Sequence, residues 1–138
     1  MANEANYRCE LNIFKGNLNF RSNPNDFSED VVVGKGPSPG AVTISTAGTV
    51  VNLSELDSPG LVRIINLDDT NFVEFGIYDG SSFWPLGEVL AGRGCLFRFS
   101  RNLGNQFGAG TGTVGPIGSF MVKADTAACD VIIEAFES

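Results

Sequence analysis

Residues 63–87 read RIINLDDTNFVEFGIYDGSSFWPLG, and the fold class turns on how this stretch alternates. After Asn71, the residues Val73, Phe75 and Ile77 fall on one parity while Phe72, Glu74, Gly76 and Tyr78 fall on the other. That is the period-2 signature of a strand with one buried face. Asp68, Asp69 and Asn71 bond readily to their own backbone and tolerate unusual φ, so the sequence predicts strands 61–67 and 72–78 joined as an antiparallel pair through Asp-Asp-Thr-Asn. Asp79-Gly80 then signals the next reversal.

Working outward, the same short alternating runs recur at 7–14, 17–22, 30–33, 41–46, 49–54, 82–86, 95–100, 120–125 and 130–137. Turn residues separate them, as at Lys15-Gly16, Pro37-Ser38-Pro39-Gly40, Ala47-Gly48, Ser58-Pro59-Gly60 and Gly92 to Gly94. No amphipathic helix of three turns is present. The expected fold is all-β, with strands and turns spaced as in antiparallel sandwiches and barrels, and residues 1–138 as one domain. A chain of 138 residues buries roughly two-thirds of its unfolded surface, enough for a real core.

Two stretches break the rhythm, 23–29 (NPNDFSE) and 103–118 (LGNQFGAGTGTVGPIG). Six glycines make the second too long and too flexible for a simple hairpin, and loops of this size become ordered against partners or carry function. Both are expected to be contact segments. Phe107, Val114, Pro116 and Ile117 are the interface candidates, because a partner surface can bury them together.

Composition narrows the partners. Hydrophobic residues make up 43% of the chain and charged residues 18%, which suits a packed globule. Sixteen acidic residues oppose nine scattered basic ones, a net charge of −7 that on balance repels a phosphate backbone, so no nucleic acid is expected. No apolar run approaches the roughly 20 residues of a membrane span, and the first ten residues, MANEANYRCE, lack the pattern of a leader, so no membrane is expected either. Cys9, Cys95 and Cys129 are odd in number and widely spaced. By parity all three share a face with apolar neighbours, and the sequence reads them as buried, reduced thiols.

Catalytic chemistry finds little support. With no histidine, the chain has no Ser-His-Asp or Cys-His system and no imidazole metal ligand. Residues 110–115 (GTGTVG) match the dinucleotide fingerprint formally, but Pro116 and Gly118 follow where a helix must begin, so the match is rejected and no cofactor is expected. Asp68, Asp69, Asn71 and Asp79 carry oxygen ligands of the kind calcium takes, yet turn chemistry accounts for each without a metal. Glu55, Asp57, Glu74 and Glu88 offer carboxylates for glycoside hydrolysis in number only. Tyr78, Phe83 and Trp84 form a candidate platform for a sugar, the alternative being core or interface.

One resemblance extends this reading. Asn66-Leu67-Asp68-Asp69-Thr70-Asn71-Phe72-Val73 leads into Phe75-Gly76, and Leu90-Ala91-Gly92-Arg93-Gly94 precedes Leu96-Phe97-Arg98-Phe99. With the Lys123-Ala124 step near the end, this is similar to a pattern in small β-rich virion proteins of tailed bacteriophages, over roughly the last 75 residues. The chain departs from that pattern in having Gly92-Arg93-Gly94 where the family often has Gly-Glu, and in an inserted Gly-rich loop before Phe120. The resemblance implies an antiparallel β-sandwich of jelly-roll-like form and a structural protein of the virion, made in the host cytoplasm: a decoration or cement, fibre or accessory component. Its partners would be copies of itself and other virion proteins, and it would not be an enzyme. The alternative is a carbohydrate- or receptor-binding sandwich that takes a glycan on Tyr78, Phe83 and Trp84.

Overall fold

Val73, Phe75 and Ile77 turn inward, as their alternation predicts: Val73 is fully buried and the other two pack against the core. The computed structural model describes residues 5–30, 34–100 and 118–137. All regular structure among them is strand, and every strand pairing is antiparallel. The chain divides into two compact units, Met1–Val32 and Val33–Ser138. The sandwich expected over residues 1–138 is confined to the second.

The first unit is a two-stranded ribbon. Strands β1 (Ala5–Cys9) and β4 (Asn25–Glu29) pair at one end, and β2 (Asn12–Lys15) and β3 (Leu18–Arg21) at the other. Lys15 faces Leu18, so Gly16-Asn17 is a two-residue turn, and Gly16 takes the positive φ of 55° that such tight hairpin turns demand. Between the two pairings, Ser22 and Leu11 bond through Ser22 N to Leu11 O at 2.9 Å and Leu11 N to Ser22 Oγ at 2.7 Å. Residues 25–29 are thus a strand, not the loop expected over 23–29. Their Asn and Asp read as turn formers, but Phe27 stacks on Tyr7 across the pair at 5.6 Å. Residues 31–33, most of the strand expected at 30–33, lie outside the described residues.

The second unit contains β5 (Ser38–Ile44), β6 (Thr49–Val50), β7 (Pro59–Asn66), β8 (Val73–Tyr78), β9 (Phe83–Val89), β10 (Gly94–Arg98), β11 (Ser119–Ala124) and β12 (Cys129–Glu137). One sheet has the order β10-β7-β12-β5 and the other β6-β11-β8-β9. The pairings nest: β8 with β9, β7 with β10, β6 with β11, β5 with β12. Successive pairs fall in alternate sheets, as when one long antiparallel ribbon is rolled up. Rolling then adds the contacts of β12 with β7 and of β11 with β8.

This arrangement corrects the expected pairing of 61–67 with 72–78. β7 and β8 lie in different sheets, and Asp-Asp-Thr-Asn is a corner between them. Asn66, only 1% exposed, holds it: its Nδ2 donates to the carbonyls of Asn71 (2.8 Å) and Val89 (3.3 Å), and its Oδ1 accepts from Asp68 N (3.0 Å). Asp68 Oδ1 in turn accepts from Thr70 N at 2.8 Å and Asn71 N at 2.6 Å. Two smaller corrections concern the middle. The strand expected at 49–54 shortens to Thr49–Val50, and Ser38-Pro39-Gly40, read as turn, opens β5. Proline is tolerated there because β5 is an edge strand.

Alternating residues of both sheets make the core. Ile44, Val62, Ile64, Val73, Val122, Cys129, Val131 and Ile133 are buried almost completely, and Val51, Leu53 and Leu56 from the segment after β6 join them. Burying each such aliphatic side chain is worth about 1.5–3 kcal/mol. Towards one side the filling is aromatic, with Phe75 stacked on Phe97 at 5.1 Å and Phe99 edge-on to Phe120 at 5.1 Å.

Candidate functional site

Phe107, Val114, Pro116 and Ile117 lie outside the described residues, as does the loop of 103–118 apart from Gly118. Two other places combine exposure with order: the β8–β9 hairpin and the amino-terminal ribbon.

At the hairpin, Asp79 organises the reversal that Asp79-Gly80 predicts. Its Oδ1 accepts from Ser81 N (2.8 Å) and Ser82 N (2.7 Å), while Oδ2 accepts from the indole Nε1 of Trp84 at 2.9 Å. The Trp84 bond, followed by the Ser82 and Ser81 amides, holds the Asp79 carboxyl below its usual range. Gly80 follows with φ of 98°, and its carbonyl accepts the Tyr78 hydroxyl at 2.9 Å.

The three residues of the candidate platform do not form one plane. Tyr78 faces Phe83 across the strands, whereas Trp84 is paired with Ile77. Cross-strand partners share a face and successive residues alternate, so Tyr78 and Phe83 lie on one face and Trp84 on the other. Trp84 remains 58% exposed with its ring tethered by Asp79.

Beyond Trp84 the edge strand β9 is irregular. Phe75 pairs with Gly87 but Gly76 with Pro85, which leaves Leu86 as an extra, bulged residue, 72% exposed. A Cβ on Gly76 would strike the Trp84 carbonyl oxygen, so the close approach needs glycine there. Pro85 has no N–H to offer a further strand. Bulge and proline together close this edge to strand addition.

The ribbon is different. Ile13 faces Phe20, Lys15 faces Leu18, and Leu11 shares their parity, so Leu11, Ile13, Leu18 and Phe20 lie along one face. All four are exposed, as are Phe14 on the opposite face, beneath the Arg21 guanidinium at 5.1 Å, and Phe27. Of the eleven large apolar side chains exposed among the described residues, the smaller unit holds these six, so apolar exposure concentrates in the ribbon.

Cys9 belongs to this ribbon and is exposed, which corrects the expectation that all three cysteines are buried. Its parity with Tyr7, Leu11 and Ile13 is real, but a two-stranded ribbon has no second layer of its own to cover that face. Cys129 is buried and Cys95 half-buried, and all three are free thiols. Burial pushes the thiols of Cys95 and Cys129 up, with Asp68, Asp125 and Asp130 adding to the effect at Cys129.

The oxygen-rich turns do not gather. Among the described residues no group of three or more Cys, Asp and Glu side chains is placed to hold a metal, and Asp68 and Asp79 stand at opposite ends of β8, each bonded within its own turn. Glu55 and Asp57 border a hollow with Lys35, whose Nζ is 3.2 Å from Asp57 and 3.5 Å from the buried carboxylate of Glu137. Asp57, then Glu137, raise the Lys35 pKa. Glu74 and Glu88 face each other on the outside of β8 and β9.

No protein-family model, curated protein or solved structure matches the chain. Its fold defines the class: an all-β protein whose larger unit is an antiparallel sandwich of two four-stranded sheets.

Proposed function

We propose that this chain is a structural protein of a bacteriophage particle, a decoration, fibre or accessory component that works by subunit assembly with copies of itself and other virion proteins. The observation that carries the reading is the ribbon. A two-stranded hairpin is marginal in water by itself, and ordered apolar side chains grouped on an exposed face mark contact surfaces. The rolled nesting of β5 to β12 supports the finer description as a jelly roll, an architecture used by capsid and lectin domains alike. The phage-like pattern falls on structural joints: residues 66–73 make the Asn66 corner, 90–94 the β9–β10 connection, and Lys123-Ala124 the end of β11. These are folding positions, in keeping with a role free of catalysis.

Mass spectrometry of gradient-purified particles from the source that encodes the chain tests this. The chain is expected in a fixed ratio to the main shell protein, and particles that lack it refute the reading. A second reading has one observation in its favour, the exposed and tethered Trp84 ring, which suits stacking on a sugar. Quenching or shifting of its fluorescence by a glycan, abolished in Trp84→Ala binding assays, would favour that module instead.

A further inference from the structure

We infer that the apolar face of the amino-terminal ribbon is covered by the acidic sandwich of a second copy of this chain, with Lys15, which shares that face, set against that copy's carboxylates. This rests on the assembly reading above and names the partner of its surface.

Two features coincide in the ribbon. Leu11, Ile13, Leu18 and Phe20 present a continuous exposed face, and the same segment, 11–21, carries Lys15 and Arg21 with no carboxylate. Two of the chain's nine basic residues lie there, so seven basic residues remain elsewhere against all sixteen acidic ones. Copies of such a chain repel one another through most of their surface. They attract where a cationic segment meets the acidic remainder, and opposite charge at an interface both steers the encounter and fixes register.

The cations are also available. Among the described residues Arg8, Lys35 and Arg63 form ion pairs with neighbouring carboxylates, whereas Lys15 and Arg21 form none. Lys15 shares the apolar face, whereas Arg21 lies on the opposite one, over the Phe14 ring at 5.1 Å. A specific interface takes about 800 Å² from each partner, with its energy concentrated in a few buried anchors. Ile13 and Phe20, opposite one another in the middle of the face, are the expected anchors, and Lys15, on the same face beside the turn, forms part of the rim.

Light scattering on size-exclusion fractions of the protein tests the inference, with wild type beside the double variant Ile13→Ser with Phe20→Ser and the single variant Lys15→Glu. Wild type is expected to elute at a multiple of the chain mass and to loosen with added salt. Each variant is expected to weaken association by about tenfold or more, as loss of an interface anchor or of a charge pair does. Unchanged Trp84 fluorescence and continued protection of Cys129 show that the sandwich is intact. Should the apolar variant misfold, the charge variant, which alters one exposed side chain only, decides alone. An oligomer that survives both variants overturns the inference and leaves the assembly reading standing. A wild-type protein that elutes as one chain overturns it too, and particle composition then judges the function separately.

Discussion

Asp79 accepts two backbone amides and an indole with one carboxylate, so its charge and the Trp84 ring are linked. These bonds favour the ionised form and depress the folded-state pKa below the unfolded value. Their stabilisation is therefore present above the ordinary carboxylate range and is lost as pH falls through the depressed value. In a fluorescence titration, Trp84 emission should stay constant down through the usual carboxylate range and change only below it, and Asp79→Asn should remove that transition. A change centred in the ordinary range would show that the carboxylate is not held. The thiols give a second expectation at this scale. At a dilution that separates the copies, one equivalent, Cys9, should react with a thiol reagent rapidly in the folded protein, Cys95 more slowly, and Cys129 only on unfolding. Three protected thiols would mean that the ribbon face carrying Cys9 is covered. The sequence shows that these cysteines share faces with apolar residues, but parity reports only which residues lie together, and whether another layer covers them depends on the distant chain.

Among the elements, the β7–β8 corner rests on one buried amide. Asn66→Ala leaves the amide of Asp68 and the carbonyls of Asn71 and Val89 without their partner, and a loss of about 3 kcal/mol is expected in denaturant unfolding. A loss below about 1 kcal/mol would place the corner's stability in Asp68 and its turn instead. The strands on either side were legible in the sequence: Val73, Phe75 and Ile77 face inward, and β12 alternates as its residues predict. Their partners were not. An Asp-Asp-Thr-Asn connection serves a hairpin and an inter-sheet corner equally well, because its side chains satisfy the local backbone in either case. Residues 25–29 mislead for the opposite reason: turn-forming Asn and Asp sit in a strand whose partner, β1, lies some twenty residues away. The hairpin at Asp79-Gly80 was readable because both strands and the turn are local. That Tyr78, Phe83 and Trp84 do not share a face was less so, since the alternation of β9 must be counted from the pairing.

The whole molecule joins a well-buried sandwich to a ribbon with little internal cover, and its stability should be distributed accordingly. In hydrogen exchange on a dilute sample, amides of the central strands β7, β8, β11 and β12 should be the slowest, exchanging close to the global unfolding limit, while β1 to β4 should exchange orders of magnitude faster. Equal protection in both units would show that the ribbon gains cover not evident in one chain. The nested pairing has a further consequence, for the order of synthesis. β12 lies between β5 and β7, with Cys129 opposite Ile44 and Ile133 opposite Ile64, so one four-stranded sheet has no centre until β12 is made. A nascent chain that has emerged only as far as β11 holds the apolar faces of β5 and β7 with nothing between them. Such distant partners must close long loops before any contact repays the entropy, and all-β domains of this kind fold in milliseconds to seconds. Folding of this sheet thus waits on the synthesis of β12. Until then the unfinished sheet is a surface for chaperones to hold.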